Sequence, residues 1–506
     1  MTTAPNIKRL VDLVDRGPED DLFYPSRSDN TIFHRDWKPY HNVVPELVEI
    51  GYQGAANWGG RITVSLTRKD SGDLLQWLCV RLRPESWLGA YDARIRSGLW
   101  DYADPANSWM WAASLGSIAI QKVEFEIGDA LVETWPGEWM DIWSRTWMDG
   151  GRCGTWDADI YGQMPPEGLR NLTRPPWTTI SPTEDGYVYC WLPICLLKRP
   201  TTAFPLVAIG EQEVRVNIFF RPFADVVRRR AVPRKTPCEV PLNETVVLLD
   251  KSGVTPVPWA CTLPAVVPGF EDVTVFVGVV QTEDPLRSNY MRMPMELMYE
   301  PVKYSRFDIP AAICGPSPSP FTMNFPLLEF NGPIREIAFF LRRKSVWRFN
   351  EWTNYGALAE NELYPPQDFL YPSDPTTEQT EYVEEQLPIL VSAQLYVGNA
   401  VWRNEAEKWW RLEYGLDHRG GVRLNDGFVY GFVLGDGANW YAEDIQPACT
   451  VNASRADMRL TLTMQAPPIT ADGSDPYVPG WDVHVFGVGV NWMRFVSGMA
   501  VPLFKD

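Results

Sequence analysis

Apolar and polar side chains alternate along this chain in short runs, and a helical period is rare. In 61–67 (Arg-Ile-Thr-Val-Ser-Leu-Thr) every second residue is apolar, the pattern of a strand with one buried and one wet face. Further alternating or β-branched runs occupy 75–82, 119–127, 187–192, 213–220, 273–280, 336–341, 428–434 and 458–464, with Gly, Pro, Asn and Asp clusters between them. Many short strands joined by turn residues predict an all-β sandwich or barrel rather than βαβ units. One helix is predicted, where Ile7, Leu10, Val11 and Val14 share a face and Gly17 ends the period.

The strand signals fall into two halves. Residues 226–243 are basic and proline-punctuated, with strand signals on both sides, and suggest a boundary. The halves echo one another. Ile127-Gly128-Asp129-Ala130-Leu131 precedes Trp139-Met140, and Val397-Gly398-Asn399-Ala400-Val401 precedes Trp409-Trp410 with the same Gly-to-Trp spacing. Gly186-Tyr187-Val188-Tyr189 returns as Gly427-Phe428-Val429-Tyr430, after a shorter interval in the second half. These echoes read as two copies of one β-unit in tandem. The expected division is an N-terminal arm with its helix at 1–29, a first β-domain at 30–227, a linker at 228–243 and a second β-domain at 244–506. Stretches 148–185 and 345–388, rich in Gly and Pro or in acidic residues, are expected as long loops on the surface.

Composition changes the picture in four ways. A length of 506 residues allows about three domains at about 150 residues each, and the echoes reduce that to two. A hydrophobic content of 45% supports a sizeable core, and the 44 prolines are punctuation between strands rather than a sign of disorder. A net charge of −18 argues against direct nucleic-acid binding, which wants a basic face. The 8 cysteines are dispersed, form no C-x-x-C pair and sit in part within apolar runs such as Leu78-Cys79-Val80. They are expected as buried, reduced thiols. No signal peptide precedes residue 20 and no apolar run approaches the roughly 20 residues of a membrane span, so folding in a reducing cytoplasm is expected.

Catalytic templates fail one after another. Lys251-Ser252 lacks the glycine loop of a phosphate cradle, and Gly435-x-Gly437 lacks the third glycine of a dinucleotide turn. Neither H-E-x-x-H nor G-x-S-x-G occurs. His34, His41, His418 and His484 are too scattered to read as a metal cluster. Glu138 and Asp141 could pose as a glycosidase carboxylate pair, but beside Trp139 and Trp143 they read as solvated or hydrogen-bonded structural acids. Arg228–Arg230 suits an exposed linker, a phosphate or an acidic neighbouring subunit. No catalytic, cofactor-binding or metal-ligating residue is assigned, no cofactor or small-molecule substrate is expected, and the chain reads as a non-enzyme. Trp135, Trp139, Trp143 and Trp147 recur every four residues, and Trp402, Trp409 and Trp410 cluster later. Core packing, interface anchors and a sugar-binding platform are the readings open for them, in that order.

Several ordered stretches resemble one family. Gly-Ser-Ile-Ala-Ile-Gln-Lys-Val-Glu-Phe-Glu-Ile-Gly-Asp at 116–129 is followed by Gly137-Glu138-Trp139-Met140-Asp141-Ile142-Trp143. Then come Phe204-Pro205-Leu206-Val207-Ala208-Ile209 and Glu213-Val214-Arg215-Val216-Asn217-Ile218. These resemble the first jelly roll of the major capsid proteins of nucleocytoplasmic large DNA viruses. Leu10–Val14 with Gly17 and Asp20, Thr31-Ile32-Phe33, the 449–464 segment and the terminal 491–500 segment are similar to further parts of that family. Gln212 stands where the family carries His, Asp129 replaces a second glycine, and His34-Arg35 and Tyr40–Asn42 depart from the opening strand, which marks a divergent member. The resemblance implies two tandem eight-stranded antiparallel jelly rolls, a double jelly roll. It implies a homotrimer forming a pseudo-hexagonal capsomer, neighbouring capsomers in an icosahedral shell, and minor capsid proteins or an inner membrane beneath the N-terminal arm. The expected location is the virion, assembled in the host cell cytoplasm. The alternative is a carbohydrate-binding β-sandwich using its tryptophans as platforms.

Overall fold

The computed structural model of the chain describes residues 41–85, 109–112, 114–147, 187–198, 202–231, 238–240, 246–249, 256–259, 267–310, 320–344, 350–357, 388–411, 428–434, 450–465 and 480–503. The expected helix at 7–14 and the expected loop at 148–185 lie outside these residues, as does the expected loop at 345–388 apart from 350–357 and 388.

Every alternating run read from the sequence lies on a strand. The first half carries β1 (Val43–Ile50), β2 (Arg61–Leu66), β3 (Leu74–Pro84), β4 (Ile120–Ile127), β5 (Ala130–Pro136), β6 (Val188–Trp191), β7 (Val214–Phe220) and β8 (Phe270–Thr282). The second carries β9 (Val302–Ile309), β10 (Phe321–Pro326), β11 (Pro333–Arg343), β12 (Leu390–Val397), β13 (Ala400–Ala406), β14 (Val429–Val433), β15 (Met458–Met464) and β16 (Trp481–Gly489). The sheet orders are β2-β7-β4-β5 and β1-β8-β3-β6, then β10-β15-β12-β13 and β9-β16-β11-β14. Each strand of the first half thus has a counterpart in the second, in the same place. Short outer strands such as Gln53–Gly54 and Val451–Asn452 extend two of these sheets. Val64, Phe125 and Val216 of one sheet and Leu78, Val80 and Val277 of the other join one apolar core, each contributing on the order of 1.5–3 kcal/mol by leaving water.

The correspondence reaches single residues. Hairpin β4–β5 turns at Gly128-Asp129 and hairpin β12–β13 at Gly398-Asn399, with glycine φ of 61° and 60°. A two-residue hairpin loop needs that left-handed conformation. Each turn glycine donates its N–H across the sheet at 2.8 Å, to the carbonyl of Glu213 and of Asp457 respectively. Both hairpins bulge at the same step, leaving Val132 unpaired in one and Trp402 in the other. Thr63 donates to Asn217 at 2.8 Å, and Thr461 donates to Asn324 at 2.6 Å at the matching pair with the residue types exchanged.

The boundary falls elsewhere than the sequence suggested. Among the described residues, no sheet joins a strand before residue 283 to one after it. Strand β8 pairs along β3 as β16 pairs along β11, so 270–282 completes the first sandwich. Without β8, the buried strand β3 would keep an open hydrogen-bonding edge. The expected linker at 228–243 holds parts of the strands Val227–Ala231 and Cys238–Val240, which build a small sheet with Trp109–Trp111. Its basic, proline-rich composition marks a connection inside the first half, not the end of it. Helix α1 (Glu138–Trp147) follows β5, and helix α2 (Asp284–Arg292) follows β8. A three-stranded sheet of Met295–Tyr299, Asn491–Val496 and Met499–Pro502 belongs to the second half.

Candidate functional site

The chemistry of the described residues is concentrated at the seam between the two sandwiches. Strand β5 and helix α1 bring three carboxylates there, Glu133, Glu138 and Asp141, all buried. An unpaired carboxylate in such a place costs several kcal/mol, and each of the three has a partner from the second half. Glu133 accepts the Lys198 ammonium at 3.1 Å, the Val302 N–H at 3.0 Å and the Cys195 N–H at 2.7 Å. Lys198 also donates to the Glu300 carbonyl, and the Glu300 carboxylate pairs with Arg335. Glu138 is clamped between Arg221 and Arg342, both at 3.0 Å. Burial works to raise its pKa, but the two guanidiniums outweigh burial and hold the carboxyl far below the usual carboxylate range. Asp141 accepts the Tyr355 hydroxyl at 2.8 Å.

Behind this clamp sits His484 on β16. Its Nδ1 lies 2.9 Å from the Tyr304 hydroxyl, its Nε2 3.3 Å from Arg342, and its ring stacks on Phe340 at 4.5 Å. Burial and the Arg342 charge push its pKa down to about 4, so the imidazole is neutral at neutral pH. The tautomer that satisfies both neighbours donates from Nδ1 to Tyr304 and accepts at Nε2 from Arg342. Apolar contacts complete the seam. Trp139 stacks on Phe486 at 5.3 Å, and Arg221 lies over the Trp352 ring at 4.4 Å. Asn350 and Trp352 donate to the carbonyls of Ala224, Val227 and Asp225. Gln212, which stands where the resembled family carries His, accepts the Ala500 N–H at 2.8 Å.

This arrangement holds two bodies together. Glu138, doubly bound by arginine, has no proton to give at neutral pH, and Asp141 spends an oxygen on Tyr355. Among the described residues no group of three or more His, Cys, Asp or Glu side chains is disposed to hold a metal. Trp135, Trp139 and Trp143 are core residues, at most 3% exposed, so these rings form no open sugar platform. Cys79, Cys190 and Cys195 are buried. Glu138 and Asp141 stand out in the sequence as a pair, whereas Lys198, Arg221, Arg335 and Arg342 do not, and His484 stands there only as an isolated histidine. Charged residues at the ends of, or inside, strongly apolar runs, as in Phe339-Phe340-Leu341-Arg342 and Val483-His484-Val485, were the available signal.

Two like sandwiches in tandem, locked through a buried seam, define the double jelly-roll class of capsid protein folds. Residues 31–241 match the family described as "Major capsid protein N-terminus". The chain is 24% identical over 218 residues to the major capsid protein of Pyramimonas orientalis virus, a match covering 43% of this chain and 48% of that one. It is 25% identical over 219 residues to probable capsid protein 4 of Acanthamoeba polyphaga mimivirus, covering 43% and 39%. These matches thus span about half or less of the relatives' length. The fold superposes on the PBCV-1 virus capsid protein with a TM-score of 0.61 at 16% identity, covering 94% of this chain and 100% of that one. For the Faustovirus major capsid protein the TM-score is 0.59 at 10% identity, covering 95% and 94%. Over part of its length the chain is similar in sequence to major capsid proteins of large DNA viruses, as its motifs suggested.

Proposed function

We propose that this chain is the principal tile of a large DNA virus shell. Three copies form a trimer whose six jelly rolls approximate a hexagon, and trimers pack laterally into an icosahedral capsid. The observation that carries this reading is the seam. The buried Arg342–Glu138 pair and buried hydrogen bonds such as that from the Val302 N–H to Glu133 bind the two sandwiches into one body, so each chain offers two similar wedges at a set relation, and closed symmetry can turn such wedges into a ring. Loops 148–185 and 345–388 face outward in this reading, and the N-terminal arm at 1–29 faces inward toward minor capsid proteins or a membrane. The protein resides in the virion, is assembled in the host cell cytoplasm, and works without catalysis, cofactor or direct nucleic-acid contact.

The test is the mass of the purified chain in solution together with electron micrographs of the same sample. A particle near three times 57.6 kDa with a hexagonal outline is expected. A stable monomer that binds a defined sugar overturns the reading in favour of a carbohydrate-binding module. Deleting 1–20 should leave folded trimers that fail to close shells; loss of folding would remove the arm's assigned role.

A further inference from the structure

The two matching hairpins differ in what covers them. Hairpin β4–β5 and helix α1 lie under the second sandwich: Val302 at the start of β9 donates to Glu133, Arg342 of β11 reaches Glu138, and Phe486 of β16 stacks on Trp139. Hairpin β12–β13 has the same turn and the same bulge. Yet β13 is exposed along nearly its whole length, with Val401 52% and Trp402 44% accessible.

The chemistry of the matching positions is inverted. Counting from the equivalent turns Gly128 and Gly398, Glu133 becomes Arg403, Glu138 becomes Lys408 and Asp141 becomes Arg411. Lys408 is exposed, Arg403 lies over the Trp409 and Phe432 rings, and Arg411 pairs with Glu407 at 2.8 Å. The open hairpin thus places Arg403 and Lys408 beside its apolar residues where the covered one places Glu133 and Glu138, with Glu405 half-buried between them.

The other partner of the seam also has an open counterpart. Strand β9 corresponds to β1, each at the end of its sheet beside β16 or β8. Strand β1 exposes Val44 and Leu47, with Glu46 and Glu49 exposed among them; Glu271 and Asp272 of β8, in the same sheet, are already paired with Arg83 and Arg81. Glu46 and Glu49 on this edge thus complement Arg403 and Lys408 on the other.

We propose that β13 of one chain docks on β1 of a second copy, repeating between chains the contact that β5 makes with β9 within a chain. The occupant is a second copy because the repeat that builds the seam is present twice in every chain, and each chain leaves one half of it open at either end. Such a contact is head-to-tail, so it closes a ring or propagates, and its charge pairs steer the encounter. That the ring closes at three rests on the proposed trimer.

The full chain is tested by light scattering, with circular dichroism confirming folding. The double variants Arg403→Glu/Lys408→Glu and Glu46→Lys/Glu49→Lys should each reduce the particle from three-chain to one-chain mass. The chain carrying all four substitutions, its charges exchanged, should recover the three-chain mass. As an independent probe, the chain with Leu47→Cys and Trp402→Cys should yield covalently joined chains on oxidation, and either single variant should not. Folded double variants that remain trimers, with no cross-linking in the cysteine pair, overturn this contact and leave the trimer standing. An acidic-edge variant that alone keeps its mass gives β1 another occupant and overturns the pairing. A wild-type chain of one-chain mass overturns both this contact and the trimer.

Discussion

At the scale of single residues, the seam depends on charges that are safe only as a set. Glu138→Gln keeps the shape but leaves Arg221 and Arg342 buried without their counter-charge. Breaking a buried pair in this way costs on the order of 3–5 kcal/mol, to be read as a lower urea midpoint at unchanged slope. His484 makes a pH prediction with a definite sign. Its folded pKa of about 4 lies below its ordinary 6.5. Between those values the unfolded chain binds more protons, so stability falls as pH drops from 6.5 towards 4. The full effect is about 3 kcal/mol at 1.36 kcal/mol per unit, and His484→Gln should flatten the stability profile in that window. The acidic pair Glu138 and Asp141 was legible in the sequence as a pair. Its role was not, because Arg221, Arg342 and Tyr355 come from distant parts of the chain and only folding brings them near.

At the scale of elements, helix α2 is held by one carboxylate. Asp73 accepts the Thr282 N–H and hydroxyl at 3.0 Å, Arg287 of α2 at 2.9 Å and Arg68 at 3.3 Å. Burial opposes its ionisation, but these donors hold its pKa below the ordinary value. Asp73→Ala strands them, and should raise hydrogen exchange across 284–292 while β11 and β16 stay protected. The second hairpin turn gives a simpler expectation. A Cβ at Gly398 meets nothing within 4 Å, so Gly398→Ala is opposed by its φ of 60° alone. The expected cost is about 1–2 kcal/mol, with Gly398→Asn costing less, measured by thermal unfolding. Strands with a clean period of two were legible as elements. Strand β13, Ala-Val-Trp-Arg-Asn-Glu-Ala, was not, since it buries almost nothing in the chain and therefore carries no in–out alternation.

At the scale of the whole molecule, the seam couples two sandwiches that share no sheet among the described residues. A single calorimetric transition is expected for 44–506, which forms one unit. Arg342→Ala with Tyr355→Phe, which remove the partners of Glu138 and Asp141 across the seam, should split that transition in two, each step unfolding one sandwich; one surviving transition at a lower temperature would assign the coupling to the apolar contacts instead. By itself the sequence determined the all-β class, the tandem repeat and the lack of a catalytic template. These are written in alternation, turn residues and motif spacing, which act over a few neighbouring positions. Only the tertiary structure decided that the first sandwich ends at Thr282, that Trp139 is core while Trp402 is exposed, and that Glu138 answers two arginines. Those outcomes depend on which distant strands pair and which faces meet, and no local pattern records a partner two hundred residues away.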